Sequence, residues 1–407
     1  MTVLPILIAL AGGTIYVSPT EEPIRNGVVL INNDGKIAAV GTRAQVRIPQ
    51  GTQVLDCSGR TITAGFWNSH VHFTERKWTD VPSIPAAELN QQLQDMFTRY
   101  GFTAAFDLSS VWENTRRLRD RINSGEVQGP RIYSTGLALL PANPGLPPDA
   151  IINFMGWMKT TPSEVADEAQ AQAESRKLLE AGVDGIKLFV SAPSRSSLGE
   201  NVIQAAVNEA HRLGKPVFVH PNSGADVLAA LRGGVDVIAH TTPQSGPWDQ
   251  AIVAAMKERQ AALIPTLWIW KWYARHDRRS AQDKIVDSEV GQLRTWVVNG
   301  GTVLFGTDLG AVDPDPAEEY VLMAQAGMSF RQILASLTTA PAERFAKSST
   351  LGRVAPGFQA DLVVLKDDPS RSIRSLANVE YTLHDGKIIY QARDFAPGGN
   401  RVPTLSH

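Results

Sequence analysis

The chain of 407 residues carries 39 Lys and Arg against 41 Asp and Glu, and 43% of its residues are hydrophobic. This is the composition of a globular protein with a large apolar core, and a formal net charge of -2 argues against nucleic acid as a partner. The single cysteine, Cys57, excludes an internal disulfide and a cysteine zinc cluster, so a bound metal would need His or carboxylate ligands.

The first apolar stretch, Val3 to Ala11, is shorter than the roughly 20 residues that cross a bilayer. No Lys or Arg precedes it, whereas a secretory signal begins with positive charge, so we interpret it as a β-strand. We therefore expect a cytoplasmic protein with no membrane partner, or a secreted or periplasmic one if a signal has been removed. The expected form is a homo-oligomer that acts on a small-molecule substrate.

Both ends of the chain have the pattern of short β-strands joined by tight turns. Near the N-terminus, the Asp34-Gly35 pair separates two β-rich segments, which is a strong hairpin signal. The same pattern returns near the C-terminus around Asp385-Gly386. We predict a small β-sandwich domain formed by both termini, with residues 1–63 as its first part and residues 352–407 as its second part and C-terminal tail.

Between these ends, short apolar strands alternate with helical patterns. The eight predicted strands are Ile62–Trp67, Ala104–Leu108, Arg131–Thr135, Gly185–Val190, Pro216–Val219, Val235–Ala239, Leu263–Trp268 and Val303–Phe305. Helices are predicted over Ser163 to Ala181 and Asn201 to Leu213, among others. Eight β/α units predict the α/β class and a (β/α)8 TIM barrel over residues 64–351. The proline-rich stretch Pro141 to Pro148 is expected to form a loop over the barrel mouth.

Residues with metal-binding side chains follow or end five of these strands. In a barrel of this kind the functional groups lie at the C-terminal ends of the strands, so these side chains should meet. His70 and His72 are two residues apart and therefore share one face of a strand, although alone this pair fits a structural role equally well. The candidates are His70, His72, Lys187, His220, His240 and Asp308.

Lys187 is the unusual member of the set, because burial of an ammonium beside a cation is unfavourable. Reaction of the neutral amine with carbon dioxide would convert it into a carbamate. A carbamate is an anion with two oxygens, and it can bridge two metal ions as a carboxylate does. The six candidates are therefore about the number of ligands that a pair of ions requires.

The chain resembles the amidohydrolase superfamily, in the branch of imidazolonepropionase and Xaa-Pro dipeptidase (prolidase). The resemblance is carried by the segments Ala64 to His72, Gly185-Ile186-Lys187, His220 to His240, Gly306-Thr307-Asp308 and Pro356 to Leu362. It implies a (β/α)8 barrel with a small β-sandwich made by both termini, in agreement with the strand pattern.

The resemblance also implies a role for each candidate ligand. His70, His72 and Asp308 would bind the more buried metal, and His220 and His240 the more exposed one. Lys187, as N6-carboxylysine, would bridge the two divalent ions together with a hydroxide. Asp308 would transfer the proton from that hydroxide to the leaving group, and His240 is the second expected catalytic residue. Zinc is the expected ion, with manganese, cobalt and iron as alternatives.

Three positions depart from the family pattern. Asn222 stands where some dipeptidases have a tyrosine that holds the substrate carboxylate, and Ser223 stands where one-metal deaminases have a glutamate. Asn68 replaces an aspartate that many relatives carry. These departures argue against a dipeptidase and against a deaminase, while Asn222 remains a candidate for contact with a different substrate.

An aromatic segment follows the seventh predicted strand. We predict that Trp268, Trp270 and Trp272, with Arg275 nearby, form an apolar wall for the substrate, and that Trp78 and Trp112 complete it. A core-packing role for these rings is equally compatible with the pattern.

These observations predict a binuclear metal-dependent hydrolase that cleaves an amide, carbamate or related acyl bond of a small apolar or aromatic substrate. Three alternatives remain. One is an Xaa-Pro dipeptidase or N-acyl amino acid hydrolase, one is a mononuclear hydrolase of cyclic amides, and the third is a non-catalytic scaffold.

Overall fold

The computed structural model describes residues 6–143, 163–191, 196–276 and 279–392. Residues 144–148 of the predicted mouth loop lie outside these ranges. The strands are β1 Ile6–Ile15, β2 Ile24–Asn32, β3 Ile37–Thr42, β4 Gln53–Asp56, β5 Thr61–Ala64, β6 Phe66–Val71, β7 Phe102–Asp107, β8 Arg131–Ser134, β9 Leu139–Pro141, β10 Ser163–Val165, β11 Ile186–Phe189, β12 Val217–His220, β13 Val237–Ala239, β14 Ala262–Ile264, β15 Thr302–Val303, β16 Leu362–Leu365, β17 Val379–His384 and β18 Lys387–Gln391.

Helices connect most of the central strands. They are α1 Ala86–Met96, α2 Trp112–Asn123, α3 Glu168–Glu180, α4 Glu200–Arg212, α5 Gly224–Arg232, α6 Gln250–Glu258, α7 Leu267–Tyr273, α8 Arg279–Val298, α9 Ala317–Gln325, α10 Phe330–Leu337 and α11 Thr339–Arg344. Short 3-10 helices occur at Arg76–Trp78, Thr98–Tyr100, Ala274–His276 and Ile373–Ala377. Across the described ranges, no helix combines the length and the apolar character needed to cross a membrane.

Strands from both ends of the chain form one sheet of eight strands. Its order is β18-β17-β16-β5-β1-β2-β3, with β4 paired to β1. The two termini meet where β16 runs antiparallel to β5, with Val364 opposite Ile62. Leu10, Val29 and Leu383 belong to one buried apolar cluster, which joins the two halves. Both termini therefore contribute strands to one continuous sheet, and the predicted division into domains at residues 63 and 352 stays a prediction.

The central strands are parallel and form the predicted α/β barrel in two sheets. One sheet has the order β10-β9-β11-β12-β13-β14-β15, and the other has the order β6-β7-β8. The sheets meet on one side through backbone bonds from Ser69 N to the Phe305 carbonyl (2.7 Å) and from Asp308 N to the His70 carbonyl (2.9 Å). On the other side Asp184 N donates to the Ser134 carbonyl (2.7 Å). The strands on that side do not pair along their length, so the hydrogen-bonded ladder is not continuous around the barrel.

The structure corrects three predicted elements. The segment Ile62–Trp67 is divided at Gly65, because β5 belongs to the terminal sheet and β6 starts the barrel. The strand predicted over Leu263–Trp268 ends at Ile264, and a helix follows it. The helix predicted from Ser163 begins at Glu168, where the Asp167 carboxylate caps it by accepting from Gln170 N (2.8 Å). The other predicted helix, Asn201–Leu213, is confirmed as α4 to within one residue.

Candidate metal centre

The first and last strand regions of the barrel bring two histidines and an aspartate together. His70 lies near the end of β6, His72 follows that strand, and Asp308 follows β15. The Nε2 atoms of His70 and His72 are 3.2 Å apart, and His72 Nε2 lies 2.8 Å from Asp308 Oδ1. The ligand atoms of these three buried residues all lie within 4.8 Å of one another. The predicted buried half of the site is therefore assembled.

The other two histidines reach the same cluster from β12 and from the end of β13. His240 Nε2 lies 3.8 Å from Asp308 Oδ2, and the ring of His240 is 4.5 Å from the rings of both His70 and His220. His220 stacks on Phe189 with a ring separation of 4.5 Å. The four imidazoles and the aspartate thus form one continuous group at the C-terminal ends of the strands.

Thr266 fixes the orientation of His240. Its hydroxyl donates to the Pro265 carbonyl (2.8 Å) and lies 2.7 Å from His240 Nδ1. Since the hydroxyl proton is already used, Thr266 accepts from Nδ1–H, and the lone pair of His240 stays on Nε2. That is the nitrogen directed at Asp308, so this contact orients a candidate ligand in the way that metal sites commonly require.

Lys187, the second residue of β11, is buried within this group. The side chain is 1% exposed, and Nζ has no hydrogen-bond partner among the described residues. Burial lowers the pKa of Lys187 to about 7, although the charge of Asp308 acts in the opposite direction. A substantial fraction of the amine is therefore neutral near neutral pH, and the neutral amine is the form that can react with carbon dioxide.

Burial also keeps three of the imidazoles neutral, those of His70, His220 and His240. It lowers the pKa of His220 to about 3, with a further decrease from the charge of Lys187. The pKa values of His70 and His240 fall well below their ordinary range, chiefly because both rings are buried. Neutral imidazoles offer lone pairs to a metal rather than protons, so this electrostatic setting favours metal binding.

The donor set fits divalent metal ions. Two nitrogens bound to one tetrahedral zinc at about 2.0–2.1 Å would be roughly 3.3 Å apart. The separation of the His70 and His72 Nε2 atoms, 3.2 Å, is close to this value. Nitrogen and carboxylate donors together suit zinc and similar ions, and the lone Nζ of Lys187 is the position at which a carbamate would add two oxygens.

The backbone near the ligands is unusually close-packed. A Cβ on Gly306 would lie 2.4 Å from Ile264 Cγ2 and 2.9 Å from His70 Cβ, so only glycine allows the last strand to approach the first. His240 and Asp308 themselves have positive φ angles, 109° and 60°. Such backbone positions are costly for residues other than glycine and are concentrated at functional sites.

Two buried polar residues near the candidate ligands hold neighbouring parts of the barrel together. Asn68 Oδ1 accepts from the backbone N–H groups of His70 (3.3 Å) and Thr307 (3.2 Å), while its amide donates to Thr307 Oγ1 (2.8 Å). The Asp107 carboxylate accepts from the hydroxyls of Ser110 (2.5 Å) and Ser134 (2.7 Å). Asn68 therefore ties the first strand of the barrel to the last.

The aromatic segment lies on helix α7 rather than on a strand. Trp270 packs edge-on against His240 with the ring centroids 5.7 Å apart, and its indole N–H donates to Thr241 Oγ1 (2.9 Å). Trp268 and Trp272 are one helical turn apart and contact each other, also at 5.7 Å. Arg275 lies over the Trp272 ring at 4.0 Å. Of the predicted wall, Trp270 is the residue that contacts the histidine cluster.

The remaining candidates for substrate contact are engaged elsewhere. Trp78 is fully buried and packs against Phe73 in the main apolar core. Trp112 is in the same core, and its indole N–H donates to the Ala181 carbonyl (2.7 Å). The Asn222 amide donates to Ser191 O (3.2 Å) and Oγ (3.1 Å), and its side chain also hydrogen-bonds to His220. Asn222 therefore orients a predicted ligand.

Two buried acids near the aromatic helix were absent from the predicted site. Glu319 accepts from the backbone N–H groups of Leu267 (3.0 Å) and Trp268 (2.6 Å) and so fixes the start of α7. Glu289 is 1% exposed, lies beside Thr241, and has no cationic partner among the described residues. Burial raises the pKa of Glu319 to about 8 and that of Glu289 to about 7. Both acids belong to ordinary amphipathic helices, so no local sequence signal separates them from surface glutamates.

A parallel α/β barrel whose strand ends bring histidines, a lysine and an aspartate together is the architecture of a metal-dependent hydrolase. The family assignment agrees with it, because the model of the amidohydrolase family matches residues 61–390. The chain belongs to this family, and it is therefore a hydrolase that acts on C–N bonds.

Relatives of known name cover nearly the whole chain. The ochratoxinase of Aspergillus niger is 22% identical over 423 aligned positions, which cover 93% of this chain and 85% of that enzyme. The solved structure of an Xaa-Pro dipeptidase superposes with a TM-score of 0.80 at 22% identity, covering 95% of this chain and all of the other. An adenine deaminase of Ruegeria sp. is 23% identical over 90% of this chain, but only 57% of its own length is matched.

Proposed function

We propose that this protein is a binuclear metal-dependent hydrolase that cleaves an amide, carbamate or related acyl bond of a small apolar or aromatic substrate. The observation that carries the proposal is the convergence of four histidines, a buried lysine and an aspartate at the same end of the barrel. His70, His72 and Asp308 would hold one ion, His220 and His240 the other, and Lys187 as N6-carboxylysine would bridge them. Zinc is the proposed ion.

The chain's own residues prepare this chemistry. When bound, the two ions would supply a hydroxide near neutral pH and polarise the substrate carbonyl. The neutral Lys187 amine attacks the carbon of carbon dioxide, a C–N bond forms, and one proton is released as the carbamate appears. Asp308, held by its contacts with His72 and His240, accepts a proton from the attacking group and passes it to the leaving nitrogen or oxygen.

The surroundings of the cluster favour a substrate without a free carboxylate. Trp270 provides an aromatic surface beside His240. Two nearby cations could have held a substrate carboxylate, but both have partners in the protein. Lys271 forms an ion pair with Glu318, and Arg275 lies over the face of Trp272.

The alternatives differ in their support. A dipeptidase has a precedent in the Xaa-Pro dipeptidase. However, Asn222, at the position of the tyrosine that would bind the substrate carboxylate, hydrogen-bonds to His220 instead. A deaminase has a precedent in the adenine deaminase, yet Ser223 at the glutamate position accepts from Asp226 N and caps α5. A one-metal hydrolase of cyclic amides would leave the buried Lys187 without a role.

The test of substrate class is hydrolysis of matched compounds by metal-loaded and by chelated protein. Neutral aryl amides, carbamates and esters are compared with N-acyl amino acids and dipeptides of similar size. We expect metal-dependent turnover of the neutral aromatic compounds. Turnover confined to compounds with a free carboxylate would replace this proposal with the peptidase alternative.

The test of the binuclear site uses Lys187→Ala and Lys187→Glu, each measured for metal content and intact mass. In the parent protein we expect two ions per chain and the added mass of one carbon dioxide. In the alanine variant we expect the added mass and the bound ions to be lost. Glutamate supplies a carboxylate from the same position and should retain more metal than alanine. One ion per chain with an unmodified lysine would show that the site is mononuclear. The homo-oligomeric state stays a prediction, to be checked by light scattering.

A further inference from the structure

A cavity opens at the opposite end of the barrel from the histidine cluster. It has a volume of about 380 Å³, within the range of small-molecule sites. Asp184, Pro216 and Asp236 line it, and each lies just before one of the strands β11, β12 and β13. These positions are at the N-terminal ends of the strands, whereas the candidate ligands are at the C-terminal ends. The cavity is therefore separate from the proposed active site.

Aromatic side chains form one wall of this cavity. Phe106, Tyr133 and Phe345 line it, and the rings of Phe106 and Phe345 pack 4.9 Å apart. Tyr133 is held flat against Trp67, with ring centroids 5.3 Å apart and an angle of 10° between the planes. This wall is thus rigid and apolar, and a phosphate ion alone would leave it without a partner.

The cavity also has cations that lack an acidic partner. Lys347 Nζ lies 5.4 Å from the centre of the Tyr133 ring, and the Arg344 guanidinium donates to the Gln260 carbonyl. Neither side chain has a carboxylate within ion-pair distance among the described residues. Burial lowers the pKa of Arg344 even though the charge of Asp236 opposes this effect. Both cations would gain from an anion placed between them and the aromatic wall.

The acids in the cavity are already paired. Asp184 accepts from Arg119 (2.8 Å) and from Ser134 N (3.1 Å). Asp236 lies 2.8 Å from His211 Nε2 and accepts from Val217 N at the same distance. Both carboxylates therefore have partners within the protein. The groups left to interact with a ligand in the cavity are the positively charged Arg344 and Lys347.

We propose that this cavity binds a small aromatic monoanion, with its carboxylate facing Arg344 and Lys347 and its ring against Tyr133 and Phe345. The site is independent of the proposed metal chemistry, because it shares no residue with it.

The test is calorimetric titration of the metal-loaded protein with benzoate, and with benzamide as a neutral analogue of the same shape. We expect benzoate to bind at least about tenfold more tightly than benzamide, since a charge-assisted contact is worth a factor of this order. Lys347→Gln and Arg344→Gln should each weaken benzoate binding by about tenfold or more. Lys347→Arg, which keeps the charge, should bind benzoate within about threefold of the parent protein.

Controls separate this cavity from the metal site and from misfolding. Lys257→Gln changes an exposed lysine on α6 and should leave benzoate binding unchanged. Asp308→Asn alters the metal site and should also leave it unchanged, and circular dichroism checks that each variant is folded. The proposal is overturned if benzoate gives no binding heat, if benzamide binds equally well, or if both glutamine variants bind benzoate as the parent protein does.

Discussion

The tie made by Asn68 predicts a specific loss of stability. Asn68→Ala removes the acceptor of two backbone N–H groups and the donor to the Thr307 hydroxyl, all inside the barrel. A net hydrogen bond is worth about 0.5–1.5 kcal/mol, and a buried group left without a partner costs about 1–3 kcal/mol. We therefore expect the free energy of unfolding to fall by about 2–4 kcal/mol. Because His70 loses its backbone anchor, metal content should fall as well.

The neighbouring Ser69 provides a matched control for this experiment. Its hydroxyl is equally buried but has no hydrogen-bond partner among the described residues, so Ser69→Ala should be neutral or slightly stabilising. Asn68→Asp keeps both acceptor contacts and should be less damaging than the alanine variant. Urea unfolding followed by tryptophan fluorescence measures the stability, and plasma mass spectrometry measures the metal. Equal stability of Asn68→Ala and Ser69→Ala would refute the reasoning.

Three further predictions concern neighbouring parts of the site. Gly306→Ala introduces a Cβ that collides with Ile264 and His70, so it should lower the free energy of unfolding by about 1–3 kcal/mol and reduce the metal content. Unchanged unfolding and metal content would contradict this packing argument. Burial raises the pKa of Glu289 to about 7, whereas the unfolded chain ionises this acid from about pH 4.5, so ionisation favours the unfolded state and the folded protein loses stability as the pH rises from about 4.5 to about 7. Glu289→Gln should come within about 1 kcal/mol of the parent at pH 5 and exceed its stability at pH 8 by at most about 3 kcal/mol, in urea unfolding at fixed metal loading. Trp270→Ala should lower kcat/KM on neutral aromatic substrates by about tenfold, while Trp272→Ala changes it less than threefold; equal effects would show that contact with His240 is not what matters.

The sequence predicts the barrel and the convergence of the candidate side chains because both follow from local rules. Alternation of apolar strands with helices fixes the fold class, and parallel strands deliver their last residues to one end. The six candidates lie within the barrel strands or shortly after them, and the structure brings all of them together: His70, His72, Lys187, His220, His240 and Asp308. Their assignment as ligands stays a prediction, since only metal analysis tests it.

The errors occur where distant contacts decide the local conformation. The apolar segment from Ile62 to Trp67 looks like one strand, but Gly65 N donates to the Asp361 carbonyl (2.7 Å) and Phe66 N to the Gly101 carbonyl (3.0 Å). The chain therefore passes from the terminal sheet to the barrel at Gly65. A Cβ there would lie 2.1 Å from the Thr103 hydroxyl oxygen, so the crossing requires glycine. None of these partners is adjacent in the sequence.

The misplaced strand end at Ile264 changes the prediction about the substrate. On a strand, Trp268, Trp270 and Trp272 would share one face, but on a helix residues two apart are rotated by about 200°. Glu319, far along the chain, fixes the helix by accepting two backbone N–H groups at its start. Trp270 is thereby directed at His240, while Trp268 and Trp272 pair with each other. The aromatic surface next to the histidine cluster is thus one indole supported by Thr241, and substrate specificity should depend on that ring more than on the other two.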